Sequence, residues 1–496
     1  MSNKIKIAIA GILSAFLLLP CIPRITAHAN SAQTWWRGQD AFGACVMDEN
    51  CPVVVDKEIL TLNISNFPGN YYTNLEDLES YDASVTAEYT FRNPADYDVD
   101  MTLAFPFGEL PYYYGYYDPE TGEHVDYDDT ARYKITADGD EICRNLRYTL
   151  NSWKFDPAVD IARLASEKRT CDFITPETLV TTYTFELNPD TSKVVQCVGA
   201  NFYGLGDTSK TRILFNEFSM ANYGNKKEQC GTWIRNDRLL TMYVIGEPLK
   251  KMPDWKFYVN GGMNKEVAGS IKLSTKLPPA TVTFNEFALT YFDNEGAVGE
   301  VDWYNAVLDA FTEDLQENRM VLKASYSTLN VATNLMRWYE YNLSIPAGKS
   351  LVNSVTAPLY PDIDAGWEPA KYSYTYLLSP ASTWADFGSF EARINTPYFL
   401  VDSSLSFERH EAADEESGNF YTFTRQGLPK GELNFTLSTD KSPQYKRQPI
   451  GKSIGYFLLY IGIPIVFAVV GATVVAAIVL LIIFLVRRRR RIKRQQ

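Results

Sequence analysis

A tyrosine-rich acidic stretch is the most unusual group of side chains in this 496-residue chain. Exposed tyrosine rings can stack on sugars or anchor protein interfaces, and loop carboxylates can bind Ca²⁺. Three interpretations stay open: a contact for a surface protein or glycan, a Ca²⁺ loop without the EF-hand spacing, and a solvated acidic loop whose rings fold onto the scaffold. The candidate binding residues are Tyr112, Tyr113, Tyr114, Tyr116, Tyr117, Asp118, Asp126 and Asp128.

Cysteines are the second group that could do chemistry. Beyond Cys21 their number is even, which is typical of disulfides in an oxidising compartment. No C-x₂-C spacing occurs, so we predict disulfides and no metal site. Cys45 and Cys51 are predicted to pair with each other, and the other four allow three pairings. The six predicted disulfide cysteines are Cys45, Cys51, Cys143, Cys171, Cys197 and Cys230.

Catalytic groups are scarce. Only His124 and His410 lie beyond the N-terminal region, and neither belongs to a recognisable nucleophile–His–carboxylate motif. Residues 451–455 match G-x-S-x-G formally, but they adjoin an apolar run instead of a strand-to-helix elbow. We therefore predict no enzyme and no cofactor. Paired carboxylates of a glycoside hydrolase leave no local signature, so a glycan hydrolase remains the alternative.

The C-terminal residues predict where the folded part of the chain ends and how it is anchored. Residues 454–486 carry no charged side chain, and seven basic residues follow within 487–496. In hydrocarbon a backbone must satisfy its hydrogen bonds within the segment, and about 20 apolar residues cross a bilayer as a helix. Basic clusters stay in the cytoplasm. The pattern predicts a single transmembrane helix over 454–486, a cytoplasmic tail, and an ectodomain outside the cell membrane.

The N-terminus indicates secretion. Lys4 and Lys6 precede an apolar run over 7–19 that is too short to span as a mature helix, and Ala27-His28-Ala29 offers small residues for a signal peptidase. This is the organisation of a secretory signal peptide, predicted over residues 1–29.

Charge narrows the partners of the ectodomain. The chain has 47 basic and 60 acidic residues, and the predicted signal and tail hold ten of the basic ones and no acid. The remaining 37 against 60 leaves a net charge of −23. Such a surface repels polyanions, so the chain is not expected to bind nucleic acid.

Periodicity indicates a mainly β ectodomain. Aromatic residues make up 14% of the chain, and period-two runs recur between turn residues. Residues 83–91 alternate, with Val85, Ala87, Tyr89 and Phe91 on one face, and a hairpin is predicted to turn at Asp138-Gly139. We predict two or three antiparallel β-sandwich-like modules with one or two short helices, the first being the disulfide-stapled module 30–245.

A second β-rich module is predicted over 246–440. Strands are expected at 282–292, 337–345, 372–378, 390–394, 420–425 and 433–437. Apolar residues at helical spacing predict a helix over 302–317. Another short helix is predicted to begin at Pro157 with Asp156 as its N-cap. Residues 441–453 are polar and short, and they are predicted to form a stalk.

Two blocks carry a resemblance. Residues 85–94, V-T-A-E-Y-T-F-R-N-P, are followed by L-A-F-P-F at 103–107, and a later block runs from Tyr374 through Trp384 to Phe390. These blocks resemble motifs of uncharacterised bacterial extracytoplasmic proteins at the cell surface or in the periplasm. The resemblance covers under a tenth of the chain. It implies location and fold, and no activity.

These observations favour a membrane-anchored extracellular β-rich protein that acts as a binding or envelope-structural module. The expected partners are a surface protein or glycan and the membrane itself. The alternatives are a membrane-tethered glycan hydrolase and an accessory subunit of a membrane transporter or sensor complex. A hydrolase requires a cleft with two carboxylates about 5–10 Å apart. A binding module requires an exposed aromatic patch.

Overall fold

The computed structural model describes residues 41–42, 44–48, 50–68, 80–106, 116–117, 124–125, 130–151, 156–189, 192, 194–203, 211–215, 219–224, 227–234, 238–260, 262–291, 294, 298–317, 321–322, 331–411 and 418–446. The predicted signal peptide 1–29, transmembrane helix 454–486 and tail 487–496 lie outside these residues. None of the helices within them is long and apolar enough to cross a membrane.

The described chain is mainly β, as predicted. Its strands are β1 (Ala41–Phe42), β2 (Cys45–Val46), β3 (Val54–Ile64), β4 (Ala83–Arg92), β5 (Val99–Pro106), β6 (Tyr116–Tyr117), β7 (His124–Val125), β8 (Lys134–Ala137), β9 (Asp140–Glu141), β10 (Asn145–Leu150), β11 (Leu179–Pro189), β12 (Cys197–Tyr203), β13 (Thr211–Phe215), β14 (Ser219–Gly224), β15 (Lys227–Trp233), β16 (Leu239–Gly246), β17 (Asp254–Tyr258), β18 (Glu266–Val267), β19 (Gly269–Leu273), β20 (Ala280–Thr283), β21 (Val321–Leu322), β22 (Leu335–Ile345), β23 (Ser350–Pro358), β24 (Asp362–Asp364), β25 (Trp367–Glu368), β26 (Lys371–Leu377), β27 (Phe387–Thr396), β28 (Phe399–Ser403), β29 (Glu408–Glu411), β30 (Asn419–Gln426), β31 (Leu433–Ser438) and β32 (Gln444–Tyr445). The α-helices are α1 (Pro157–Asp160), α2 (Phe284–Tyr291) and α3 (Glu300–Glu317).

These elements belong to two compact units. Of the described residues, those up to 361, 374–397 and 403–434 belong to the larger unit, and 362–373, 398–402 and 435–446 belong to the smaller unit. The strand pairing crosses the boundary predicted at residue 245. Strands β3 and β4 lie in one sheet with β23, β27 and β30, so the first and second halves of the sequence share a sheet.

The larger unit contains an eight-stranded sheet in the order β29-β30-β27-β3-β4-β23-β8-β9. The predicted face of β4 is confirmed, because Val85, Ala87, Tyr89 and Phe91 are all buried. The β3–β27 pair is parallel, whereas only antiparallel strands were predicted. Parallel neighbours need a long crossover connection, and the pairing of strands more than 300 residues apart has no local sequence signal.

A four-stranded sheet, β10-β22-β5-β2, also belongs to the larger unit. The Tyr341 hydroxyl on β22 donates a hydrogen bond of 3.0 Å to Asn353 Oδ1 on β23, which links this sheet to the eight-stranded one. Phe105 and Tyr339 each contact the ring of Tyr133 edge-on. Asn353 is fully buried, and its Nδ2 donates to the carbonyl of Thr136 at 2.9 Å, so protein groups satisfy both ends of this amide.

The middle of the chain forms three layers. The six-stranded sheet contains β19, β11, β16, β13, β21 and β20, and successive residues of each strand face opposite sides. Val180, Leu214 and Ile245 pack with α2 and α3 on one side. Residues of alternate parity pack on the other side against the five-stranded sheet β14-β15-β12-β17-β18. They include Phe185, Leu187, Ile213, Phe215, Leu240, Met242 and Val244.

The helix predicted over 302–317 is confirmed as α3, and the short helix at Pro157 is confirmed as α1. Ala158 N–H donates to the side chain of Asp156 at 3.0 Å, which is the predicted N-cap. The strand predicted over 282–292 is wrong beyond Thr283, because α2 begins at Phe284. A capping box sets this start. Glu286 N–H donates to Thr283 Oγ1 at 3.2 Å, and Thr283 N–H donates to Glu286 Oε2 at 2.8 Å.

Candidate functional site

Most of the predicted tyrosine-rich site lies outside the described residues, namely Tyr112, Tyr113, Tyr114, Asp118, Asp126 and Asp128. Tyr116 and Tyr117 form β6, which pairs antiparallel with His124–Val125 of β7. The stretch therefore contains a short hairpin. Its proposed role in binding stays a prediction from the sequence.

Cys45 and Cys51 are free thiols, so the structure does not contain the predicted Cys45–Cys51 bridge. Cys45 lies on β2 and is fully buried, and this burial raises the pKa of its thiol. The Sγ atom of Cys51 instead lies 4.0 Å from the sulfur of Met101 on β5. The two thiols do not pair although only five residues lie between them, because β2 directs the side chain of Cys45 into the core. Cys143 and Cys171 are also free thiols.

The strand register limits the remaining pairings. Cys197 lies opposite Trp233, and Ala200 lies opposite Cys230. The two cysteines are thus three positions apart along the β12–β15 pair, or about 10 Å at the usual rise of a strand. A disulfide requires Cα atoms within about 7 Å. A Cys197–Cys230 bridge is incompatible with this register.

The smaller unit contains an exposed group of aromatic and charged side chains, which we call the aromatic clasp (Gly366, Trp367, Glu368, Lys371, Tyr445 and Lys446). Strand β32 pairs antiparallel with β25, and Tyr445 lies opposite Trp367. Lys446 N–H donates to the carbonyl of Gly366 at 2.7 Å. Tyr445 and Lys446 fall within the stretch predicted to be a stalk, 441–453. The first part of that stretch therefore contains a strand that is attached to the smaller unit.

The rings of the clasp meet at right angles. The centroids of Trp367 and Tyr445 are 5.5 Å apart at an interplanar angle of 82°. Lys371 Nζ lies 3.3 Å from the centroid of the Trp367 ring, a cation–π contact. Lys446 Nζ forms an ion pair of 2.9 Å with Glu368. The edge-to-face contact of the two rings and the position of the Lys371 ammonium over the indole are both electrostatically favourable. Together they favour one arrangement of the clasp.

Gly366 makes room for this arrangement. A Cβ atom at this position would lie 2.9 Å from Asp364 Oδ1 and 3.3 Å from Cε2 of Tyr445. Asp364 Oδ1 accepts the N–H of Gly366 at 2.9 Å, which closes the turn between β24 and β25. The glycine therefore allows the tyrosine ring to approach the backbone. Tyr445 is nevertheless 62% exposed, and an exposed aromatic side chain flanked by two lysines can contact a partner.

The larger unit contains a buried acid. Glu58 on β3 is 1% exposed, and its neighbours in the sheet are Tyr89 on β4 and Phe390 on β27. The Tyr376 hydroxyl donates to Glu58 Oε1 at 3.2 Å and lies 3.4 Å from the Tyr89 hydroxyl. We call these three side chains the Glu58 cluster (Glu58, Tyr89 and Tyr376). Oε2 of Glu58 has no hydrogen-bond partner.

Burial raises the pKa of Glu58 to about 7, although the hydroxyls of Tyr376 and Tyr89 partly counteract it. Burial and the neighbouring Glu58 also raise the pKa values of both tyrosines well above their usual range. The Glu58 carboxyl is thus the group of the cluster that changes charge near neutral pH. Its burial withholds it from any dissolved substrate, so this arrangement can bind a proton but cannot attack a glycan.

A β-bulge turns Glu58 inward. Val55 lies opposite Phe91, and Lys57 lies opposite Thr90, so Asp56 is an extra residue on β3. In a regular strand Val55 and Glu58 would face opposite sides, because successive side chains alternate. The extra residue reverses this alternation, and both side chains are buried. Glu58 precedes the apolar run from Ile59 to Ile64, and a charged residue gives no periodicity signal of a core position, so sequence analysis missed it.

The two blocks that carry the family resemblance meet at this cluster. Tyr89 and Phe91 of the first block stack with centroids 5.3 Å apart, and Trp384 of the second block contacts Phe91 at 4.4 Å. Tyr376 and Phe390 of the second block border Glu58. The blocks are separated by about 300 residues in the sequence, but they build one core.

Other catalytic candidates have ordinary surroundings. His410 is exposed on β29, and its Nε2 lies 2.8 Å from Thr422 Oγ1 on the neighbouring β30. Across the part of the chain that the structure describes, no group of three His, Cys, Asp or Glu side chains could hold a metal ion.

No family model matches this chain, and no curated protein matches it. It is similar to a solved structure from Legionella pneumophila described as a candidate nutrient binding protein, with 9% identity, 80% of this chain and 70% of that chain covered, and a TM-score of 0.27. It is also similar to the N-terminal domain of a Streptococcus gordonii adhesin, with 9% identity, coverage of 82% and 87%, and a TM-score of 0.11. Both TM-scores are below 0.5, so neither likeness supports an inference about fold or function.

Proposed function

We propose that this chain is a membrane-anchored extracytoplasmic protein whose β-rich ectodomain serves as a binding or envelope-structural module. The predicted signal peptide and the predicted span over 454–486 support this topology. The shared core between the six-stranded and five-stranded sheets supports a β-sandwich as the scaffold of the ectodomain.

The observation that carries the proposal is the aromatic clasp. It is the kind of exposed aromatic group that a binding module needs and that a buried architectural core does not provide. It also fastens β32 to the smaller unit by ring contacts, an ion pair and a backbone hydrogen bond. Only residues 447–453 separate this attachment from the predicted span. The ectodomain thus ends in folded structure close to its anchor.

The resemblance of residues 85–94, 103–107 and 374–390 to bacterial extracytoplasmic proteins also supports the proposed location. The tyrosine-rich stretch that contains the β6–β7 hairpin is the proposed contact for a surface protein or a glycan. Its acidic flank would reject anionic polymers and favour a neutral or basic partner.

Topology is tested by adding protease to intact protoplasts that express the chain. The expected result is loss of residues 30–446 and survival of a membrane-bound fragment of a few kilodaltons that contains residues 454–496. The matched control adds the same protease after lysis. An ectodomain that is protected in intact protoplasts but cleaved after lysis would contradict the proposal.

Binding is tested with a triple variant, Tyr113→Ala, Tyr114→Ala and Tyr116→Ala, against an array of glycans and surface proteins. Loss of aromatic hot spots is expected to weaken binding roughly thirtyfold. Tyr97→Ala is the control, because Tyr97 is 59% exposed and lies on a different loop. Unchanged binding together with a large drop in melting temperature would show that the tyrosines belong to the core.

A further inference from the structure

The chain leaves the described structure from the aromatic clasp itself. Lys446 is the last described residue, and its N–H and side chain are both bound within the clasp. The seven residues 447–453 lead to the predicted span. Even fully extended, seven residues reach at most about 25 Å. The clasp is therefore held within that distance of the point where the chain enters the bilayer.

The composition of the clasp suits a membrane interface. Trp and Tyr are enriched where membrane meets water, because their rings are amphipathic and prefer the level of the headgroups. Lysines there place an apolar stem in the interface and a charged end among phosphates. The clasp brings Trp367 and the exposed Tyr445 together with two lysines, Lys371 over the Trp367 ring and Lys446 beside Glu368.

The nearby carboxylates do not cancel this preference. Glu368 is paired with Lys446 at 2.9 Å. Asp364 accepts the N–H of Gly366 and lies on the preceding turn. The two carboxylates, Asp364 and Glu368, are matched in number by two ammonium groups, Lys371 and Lys446, so the formal charge of this surface is zero.

We propose that the aromatic clasp docks on the phospholipid headgroup layer of the same bilayer that holds the predicted span. This inference rests on the proposed membrane anchoring. The clasp is the contact of the smaller unit with the membrane, and it limits the tilt of that unit on its anchor. A tethered contact requires little intrinsic affinity, since a short linker keeps the local concentration of its partner high.

The test compares the full chain in phosphatidylcholine–phosphatidylglycerol nanodiscs with a variant that has about 30 Gly/Ser residues inserted between Gln448 and Pro449. Hydroxyl-radical footprinting and mass spectrometry then measure oxidation of Tyr445. Tyr97 is the internal control, because its exposure of 59% matches the 62% of Tyr445. The insertion lies outside the described elements and lowers the effective concentration roughly tenfold.

With the natural linker, we expect the ratio of Tyr445 to Tyr97 oxidation to be about fivefold lower than with the extended linker, because the tether no longer enforces contact. Equal ratios for the two linkers would overturn the docking, whether Tyr445 is oxidised or protected in both. Failure of the chain to co-elute with nanodisc lipid would instead overturn the anchoring on which the inference rests. The two failures are thus distinguishable.

Discussion

Two polar clusters in the larger unit differ in whether a buried acid has a positively charged partner. The Arg147 network (Arg147, Asp302 and Glu340) joins β10, α3 and β22 through ion pairs. The Glu58 cluster contains an acid that accepts a hydrogen bond from the Tyr376 hydroxyl, which in turn lies beside the Tyr89 hydroxyl. Asp302 and Glu58 are both buried, but only the first cluster contains a cation.

The Arg147 network is closely satisfied. The Arg147 guanidinium donates to both oxygens of Asp302, to Glu340, and to the carbonyl of Ala165 at 2.8 Å. Burial lowers the pKa of Arg147, but the hydrogen bonds and charges of Asp302 and Glu340 outweigh it and raise the pKa overall. Asp302 also accepts Tyr148 N–H at 2.9 Å. The Arg147 guanidinium therefore stays charged at every physiological pH.

The difference teaches that burial alone does not decide what an ionisable group does. With a cation in reach, burial makes a fixed attachment between a helix and two strands. Without one, the same burial makes a group whose charge depends on pH, because neutralising the acid is cheaper than burying its charge. Substitutions can separate these two cases.

Removing the cation should have the largest effect. Arg147→Ala leaves two acids partly buried without a counter-charge, and breaking such a pair costs about 3–5 kcal/mol. We expect this loss in the free energy of unfolding measured with urea at pH 7. The control is Arg92→Ala, which removes an exposed ion pair with Asp56, and exposed pairs contribute little. Similar losses for the two variants would contradict the contrast between buried and exposed pairs.

Neutralising Glu58 should have the opposite sign. The unfolded carboxyl loses its proton near its ordinary pKa of 4.5, and the folded one near 7. Between these values the unfolded state binds fewer protons, so stability falls as pH rises, by about 3 kcal/mol in total. Glu58→Gln cannot ionise, so it should unfold with a higher free energy than the natural chain at pH 8.

The measurement is urea unfolding of both proteins at several values between pH 4 and pH 8. Their difference isolates Glu58, because all other titrating groups are common to both chains. We expect equal stabilities near pH 4 and a growing gap above pH 5. A gap that does not depend on pH would show that folding leaves the pKa of Glu58 unchanged, which would contradict the raised value.

Much of this architecture is predictable from sequence because it is local. The hairpin at Asp138-Gly139 is confirmed: Ala137 pairs with Asp140, and both turn residues have positive φ, at 50° and 92°. The helix α3 is confirmed because its apolar residues repeat at helical spacing. Both features depend on residues less than twenty positions apart.

Neither cluster was predictable, because each is assembled from distant strands. Arg147 and Asp302 are 155 residues apart in the sequence, and Glu58 and Tyr376 are 318 apart. The β-bulge at Asp56 also breaks the alternation on which a sequence prediction relies. The error at α2 is different, since the capping pattern T-x-x-E at Thr283 was present. The β-prone run of Val282 to Phe284 concealed it.

Crowding the β-bulge should lower the free energy of unfolding by an intermediate amount. A Cβ on Gly388 would lie 2.3 Å from the carbonyl oxygen of Asp56. Gly388→Ala must push β27 away from the bulge, and such overpacking costs about 1–3 kcal/mol. We expect this loss near pH 5. The difference in stability between pH 5 and pH 8 should shrink, because a displaced bulge admits water to Glu58. Gly262→Ala is the control, since the nearest atom to a Cβ there is 3.6 Å away. If the pH dependence of stability is unchanged in Gly388→Ala, the bulge does not determine the pKa of Glu58.

The smallest change in stability is expected at the capping box of α2, which contains an exposed acid whose pKa is lowered and not raised. The Thr283 N–H and hydroxyl lower the pKa of Glu286 in the capping box of α2, whereas burial raises that of Glu58. A lowered pKa contributes stability above the unfolded value and loses it as pH falls, the reverse of Glu58. Thr283→Ala removes the N-cap hydroxyl, which typically costs about 1 kcal/mol. Thr283→Ser keeps that hydroxyl and should restore most of the stability in urea unfolding at pH 7. Equal losses for Ala and Ser would show that the threonine methyl group stabilises α2, and not the cap.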